Sequence, residues 1–182
     1  MTDETAAPEI IIRDAVEADL DAVRAIYAHH VLHGLASFEE TPPDLAEITR
    51  RYFAILAGGY PYRVAEFGGR IAGYAYASRY RPRPAYRYTV ENSVYVSDDA
   101  TGHGVGGRLL EDLIGRCTEQ GFRQMMAVIG DTDNAPSINL HAKYGFKQMG
   151  EIRSVGFKFG HWVNSVIMQR ALGDGDDTLP SD

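Results

Sequence analysis

Val94-Tyr95-Val96-Ser97-Asp98-Asp99-Ala100-Thr101-Gly102-His103-Gly104-Val105-Gly106-Gly107 is the stretch that decides the fold. Val94–Val96 reads as the end of a buried strand, Ser97–Thr101 as a loop, and the glycines as a turn that opens a helix. Glycine at 102, 104, 106 and 107 leaves no side chain over the first helical turn. Backbone N–H groups and the positive end of the helix dipole can then meet an anion at contact distance. The stretch predicts a phosphate cradle on a strand–loop–helix unit.

The helix that follows carries Val105, Leu109, Leu110, Leu113, Ile114 and Cys117 on one apolar stripe. Upstream, Ile10–Arg13 reads as a strand and Ala18–Val31 as a helix, with Asp14 and Glu17 as its capping box. Pro42-Pro43 precedes a second helix over Asp44–Leu56, stopped by Gly58-Gly59. Tyr62–Phe67, a Gly68-Gly69 turn and Ile71–Tyr80 make a hairpin. Arg81–Ala85 is a loop and Tyr86–Ser97 a long strand. Downstream come a strand at Gln124–Ile129, a short helix at Ala135–Tyr144, and strands at Phe146–Val155 and Trp162–Gln169. The order β-α-α-β-β-β-α-β-α-β-β predicts one α/β domain. Its single mixed sheet is mostly antiparallel, with a parallel crossover around the glycine-started helix.

At 182 residues the chain suits one domain with a sizeable core. The domain is expected over residues 10–172, between a flexible leader (1–9) and an acidic disordered tail (173–182). The formal net charge of −7 disfavours a nucleic-acid surface, so an anionic ligand must be held by a local field. No apolar run is long enough for a membrane span. Cys117 is the one cysteine, which excludes an intrachain disulfide and fits a reducing, cytoplasmic setting. His29, His30 and His33 lie close together, but without a nearby cysteine they read as a solvated helix end, and no metal is expected.

Gly102–Gly107 also satisfies G-x-G-x-x-G, with Asp131 near the distance of a ribose-binding acid. A dinucleotide fold places its first glycine at the end of its first strand. Here Ser97–Thr101 intervenes and three strands come earlier. Thr101-Gly102-His103-Gly104-Val105-Gly106 instead resembles the pyrophosphate loop of the GNAT N-acetyltransferases, [Q/R]-x-x-G-x-[G/A], with Thr101 at the Gln/Arg position. Further segments occur in order: Glu91–Ser97, Ala127–Gly130, Asn134–Ser137, Leu140–Phe146 and Gly156–Trp162. Together they resemble the phosphinothricin and methionine sulfone/sulfoximine branch over roughly the whole domain. The resemblance implies a GNAT fold whose sheet splays at the cofactor site and is flanked by helices. It also implies acetyl-CoA as donor, a small amino-acid amine as acceptor, and a homodimer.

Acetyl transfer from a thioester needs a deprotonated amine, a stabilised oxyanion and a proton for the departing thiolate. Glu91 sits among β-formers, where a carboxylate is costly unless it faces a cavity, and burial raises its pKa. It is the candidate base, a role that the resemblance also implies. His141 stands where many GNAT enzymes carry tyrosine, and is the second catalytic candidate. The resemblance implies that Thr101–Gly107 hold the pyrophosphate and that the backbone of Val94, Tyr95 and Val96 meets the pantetheine, with the N–H near Val94 as oxyanion donor. Asn134 either caps its helix or bonds the pantetheine. Arg81 and Arg83, in a proline-stiffened loop, are candidate acceptor contacts, since guanidinium groups grip carboxylates, and the resemblance implies Arg83, Tyr86 and Phe38 on the acceptor side. Tyr144 reads as packing. Three other readings stay open: a protein N-terminus as acceptor, a polyamine as acceptor, and a non-catalytic acyl-CoA sensor.

Overall fold

A computed structural model of the chain describes residues 9–180. The expected leader, apart from Glu9, lies outside them. Seven strands form one sheet in the order β1-β2-β3-β4-β5-β7-β6. They are β1 (Ile11–Asp14), β2 (Tyr62–Phe67), β3 (Arg70–Arg79), β4 (Thr89–Val96), β5 (Gln124–Gly130), β6 (Lys147–Lys158) and β7 (His161–Ala171). The helices are α1 (Leu20–His33), α2 (Leu45–Ala57), α3 (Val105–Glu119) and α4 (Ala135–Lys143). Every pairing is antiparallel except β4–β5, the two strands that α3 joins.

Strand alternation sends neighbouring side chains to opposite faces, and each face has its own core. Tyr62, Val64 and Tyr74 pack with Leu20, Val23, Val31, Ile48 and Tyr52 of α1 and α2. Ala75, Ala77, Val90 and Met125 pack with the whole α3 stripe on the other face. Each buried leucine of that stripe contributes about 1.5–3 kcal/mol. Cys117 lies within it, and burial pushes its thiol up to about 12.

Parallel pairing of β4 with β5 covers only Thr89↔Gln124, Val90↔Met125 and Glu91↔Met126. Beyond it, β4 continues with β3 to Val96, and β5 continues with β7 to Gly130. The sheet splits into a V with Glu91 and Met126 at its crotch.

Several elements differ from the sequence reading. β4 begins at Thr89 rather than Tyr86, because Pro84 starts a 3-10 turn closed by the Arg87 N–H on the Pro84 carbonyl. β6 runs past Gly156 to Lys158, and Phe159-Gly160, both at positive φ, make the hairpin turn. The capping box is not Asp14 and Glu17. Asp14 pairs with Arg63, and Asp19 accepts from the Val16 N–H at 2.8 Å. In the expected tail, Gly173–Pro180 runs as turns, and Arg123 donates to Thr178 Oγ1 at 2.7 Å. Among the described residues no helix is long and apolar enough to cross a membrane.

Candidate active site

The V opens into a cavity of about 790 Å³. The backbone of Val94–Val96 walls one side, and α4 with Asn134 and Leu140 the other. Its end is the glycine turn. Gly102 (φ 84°) and Gly104 (φ 86°) take the left-handed conformation that glycine adopts without strain. Gly104 is the N-cap of α3, so the N–H groups of Val105, Gly106 and Gly107 have no carbonyl behind them in the helix. Side chains would close the cradle: a Cβ at Gly107 would stand 2.8 Å from the Tyr144 hydroxyl, and one at Gly106 3.4 Å from Val96 and Leu140. A diphosphate fits this surface by charge and by space.

A second cavity of about 410 Å³ adjoins the first and is lined by Phe38, Glu39, Glu91, Asn92, Ser93 and His141, among others. Val94, Tyr95, Asn134, Ser137 and His141 line both cavities, so the two meet between the parted strands. Burial holds the Glu91 carboxyl above the usual carboxylate value, and the Arg81 charge opposes that shift.

His141 is buried on α4. Its Nδ1 lies 2.8 Å from the Ser137 carbonyl, which can only accept. Its Nε2 lies 3.0 Å from Asn92 Oδ1. Asn92 presents that oxygen because its Nδ2 donates to the Met126 carbonyl at 2.9 Å. Both ring nitrogens therefore face acceptors, an arrangement satisfied in full only by imidazolium. Burial pushes the pKa down against that preference. The two influences oppose each other, as suits a group that trades a proton.

Residues 12–167 match the family described as the acetyltransferase (GNAT) domain. The chain belongs to the GNAT acetyltransferases. It is 54% identical over 169 residues to a phosphinothricin N-acetyltransferase of Alcaligenes faecalis, covering 93% of this chain and 86% of that one. It is 44% identical over 162 residues to an L-methionine sulfoximine/L-methionine sulfone acetyltransferase of Pseudomonas paraeruginosa, covering 88% and 94%. The crystal structure of a GNAT phosphinothricin acetyltransferase from Sinorhizobium meliloti in complex with AcCoA superposes with a TM-score of 0.92. Identity there is 48%, and 95% and 94% of the two chains are covered.

In this N-acetyltransferase the expected cofactor residues Val94, Tyr95, Val96, Thr101, Gly102, Gly104, Val105, Gly106, Gly107 and Asn134 all line the first cavity. His103 does not. Its ring stands 5.2 Å from that of Phe67, and its N–H reaches back to the Ala100 carbonyl at 3.4 Å. Asn134 caps α4, accepting from the Ser137 N–H at 3.3 Å. Glu91, His141 and Phe38 come together at the second cavity. Arg81, Arg83 and Tyr86 do not line it. The Arg81 guanidinium lies over the Tyr80 and Tyr86 rings, 5.1 and 6.0 Å from their centroids, and its charge still reaches Glu91. Tyr144 packs against the α3 core.

His30 is not a solvated helix end. It is half-buried, with Nε2 2.9 Å from the Val96 carbonyl and its ring 5.4 Å from that of Tyr95. It braces the very strand that walls the first cavity. Among the described residues no cluster of three His, Cys, Asp or Glu is placed to hold a metal. The sequence reading also missed Asn92. An amide amid β-formers, beside a candidate base, is the local cue that would have found it.

Proposed function

We propose that this enzyme transfers the acetyl group of acetyl-CoA to the α-amine of a small amino acid or analogue of the phosphinothricin or methionine sulfoximine/sulfone type, by direct attack on the thioester. The observation that carries this reading is that the first cavity, taken here as the donor cavity, opens into the second, taken as the acceptor cavity, which Glu91 and His141 both line. The named relatives support the acceptor class, and the AcCoA-bound neighbour supports the donor.

The pyrophosphate sits on the N-terminus of α3, and the pantetheine arm runs along the free edge of β4 beside Val94–Val96. Glu91 takes the ammonium proton, directly or through a water. The amine lone pair forms the N–C bond, and the Val94 N–H meets the oxyanion. As the C–S bond breaks, the electron pair leaves on sulfur, and the nitrogen's second surplus proton passes to solvent, leaving a neutral amide. His141 supplies the sulfur's proton by exchanging the Asn92 contact at Nε2 for the thiolate. Phe38 packs on the acceptor. Arg81, Arg83 and Tyr86 stand at the rim on Arg81–Tyr86, and close on the acceptor's carboxylate and second anionic group when it binds. His103 contributes to the pyrophosphate loop through the turn that it completes.

The enzyme acts as a homodimer. Edge strand β6 exposes Met149 (61%) and Phe157 (57%), and Trp162 (66%) on β7 stands beside Phe157, a face that a second copy would cover. The lone buried thiol suits a cytoplasmic enzyme.

A thiol-release assay with acetyl-CoA tests the reading against phosphinothricin, methionine sulfoximine, methionine sulfone, ordinary amino acids, spermidine and a short peptide. Turnover confined to the amino-acid analogues is expected. Turnover only on spermidine or peptide would replace the acceptor class. Acetyl-CoA binding without turnover on any acceptor would leave a sensor.

A further inference from the structure

Lys158, at the end of β6, is 1% exposed. A buried ammonium is costly unless paired and fully hydrogen-bonded. Lys158 donates to two backbone carbonyls, Gly34 at 2.9 Å and Ser37 at 2.7 Å. Burial pushes the Lys158 pKa down, and the charges of Glu40 and Glu39 oppose that shift. Gly34 and Ser37 bracket the strap that connects α1 to α2, where the chain is neither helix nor strand and its carbonyls have no ladder partners.

The strap crosses the point where the chemistry is placed. Gly34, Leu35 and Ala36 line the donor cavity, while Ala36, Ser37, Phe38 and Glu39 line the acceptor cavity. It is seated on two bare strand positions. A Cβ at Gly130 would lie 2.0 Å from the Leu35 carbonyl, and one at Gly156 would lie 2.4 Å from the Phe38 ring. Its far side is tied to α1 and α2: the Tyr27 hydroxyl lies 2.8 Å from Ser37 Oγ, and Arg51 donates to Glu39 at 2.6 Å. Packing alone would accept an apolar side chain at 158. What an ammonium adds is three divergent N–H groups on one atom, able to hold two carbonyls three residues apart and so fix the curvature of the strap.

We propose that Lys158 is a positioning residue for acetyl transfer, pinning the strap of residues 34–39 so that Phe38 and Ala36 set the acceptor against the donor where the cavities meet. This rests on the acceptor and donor assignment above.

Two variants test it: Lys158→Met, which keeps length and loses the donors, and Gly156→Ala, which pushes Phe38 off its seat. Hydrogen exchange of the peptide carrying residues 34–39 reads the pin without reference to activity. Exchange in that peptide should quicken in Lys158→Met while α3 and β7 stay protected. Acceptor kcat/KM should fall about 10- to 100-fold in both variants, the size expected for a small misplacement of reacting groups. Calorimetric affinity for acetyl-CoA should stay within about threefold, since the α3 N-terminus is untouched. Unchanged strap exchange in a folded Lys158→Met, or unchanged acceptor kinetics in both variants, would overturn the proposal. So would parallel loss of acetyl-CoA affinity and thermal midpoint, which marks a merely structural lysine. A wild-type protein inert toward every acceptor would instead sink the functional reading, with the exchange arm still deciding whether the pin exists.

Discussion

One residue past the last β4–β5 pair, Asn92 donates from Nδ2 to the carbonyl of Met126 at 2.9 Å. The side chain adds a bond to that carbonyl at the point where the ladder stops and the strands part. The same amide then turns its oxygen to His141. The split of the sheet and the orientation of the imidazole are one structural event.

Asn92→Asp separates the two ends of that event. A carboxylate cannot donate to Met126 and sets oxygen against oxygen there, at a cost of about 1–3 kcal/mol. It also sets a negative oxygen against Nε2 and favours imidazolium. A lower thermal midpoint and an upward-shifted His141 titration by NMR are expected together.

Glu91→Gln should reduce kcat by about 10²- to 10⁴-fold, the usual worth of a general base. Acetyl-CoA affinity should hold, since Glu91 lines only the acceptor cavity. Burial raises the wild-type carboxyl above its ordinary 4.5. In the proposed role the carboxyl works ionised, so the acid limb of the kcat profile should lie above that value and vanish in the variant.

The donor cradle depends on backbone conformation. Gly104→Val places a β-branched residue at φ 86°, a strained position costing on the order of 1–3 kcal/mol. Acetyl-CoA affinity by calorimetry should drop while residual turnover at saturating donor survives.

Stability should fall with acid before carboxylates titrate. His30 and His141 are both held below their ordinary 6.5, chiefly by burial. The folded chain binds these protons less readily than the unfolded chain. Their contribution is present above pH 6.5 and is lost as pH drops from there toward the folded values. Thermal midpoints should decline below about pH 6.5, and His30→Gln should flatten part of that decline.

Phe157 and Trp162 stack edge to face, 5.3 Å apart, on the exposed β6–β7 hairpin. Trp162→Glu should convert a dimer to monomers in sedimentation without moving the unfolding transition of the separated chain.

Local pattern made much of this fold legible. β2 is legible to the residue because Gly68-Gly69 fixes a tight turn, and the buried stripe of α3 because it has a single period. Gly156 misled for a tertiary reason: it interrupts the pattern of β6 yet stays in the strand, since its missing side chain seats Phe38. The crotch of the V was not legible. Where β4 and β5 part depends on a partner 35 residues away, so Asn92 looked like any strand amide. Lys158 and His30 were invisible for the same reason: the carbonyls that they bind lie far off in sequence.

The two halves of the sheet, β1–β4 and β5–β7, share just three ladder pairs. A seam so short is where heat would part the domain, and the donor cavity lies directly along it. On the proposed reading, acetyl-CoA bound there is a fastener as well as a reactant. By mass action, donor at a hundred times its Kd would add about 2.7 kcal/mol to the folded state. In a cell, the durability of this enzyme would rise and fall with its acetyl supply.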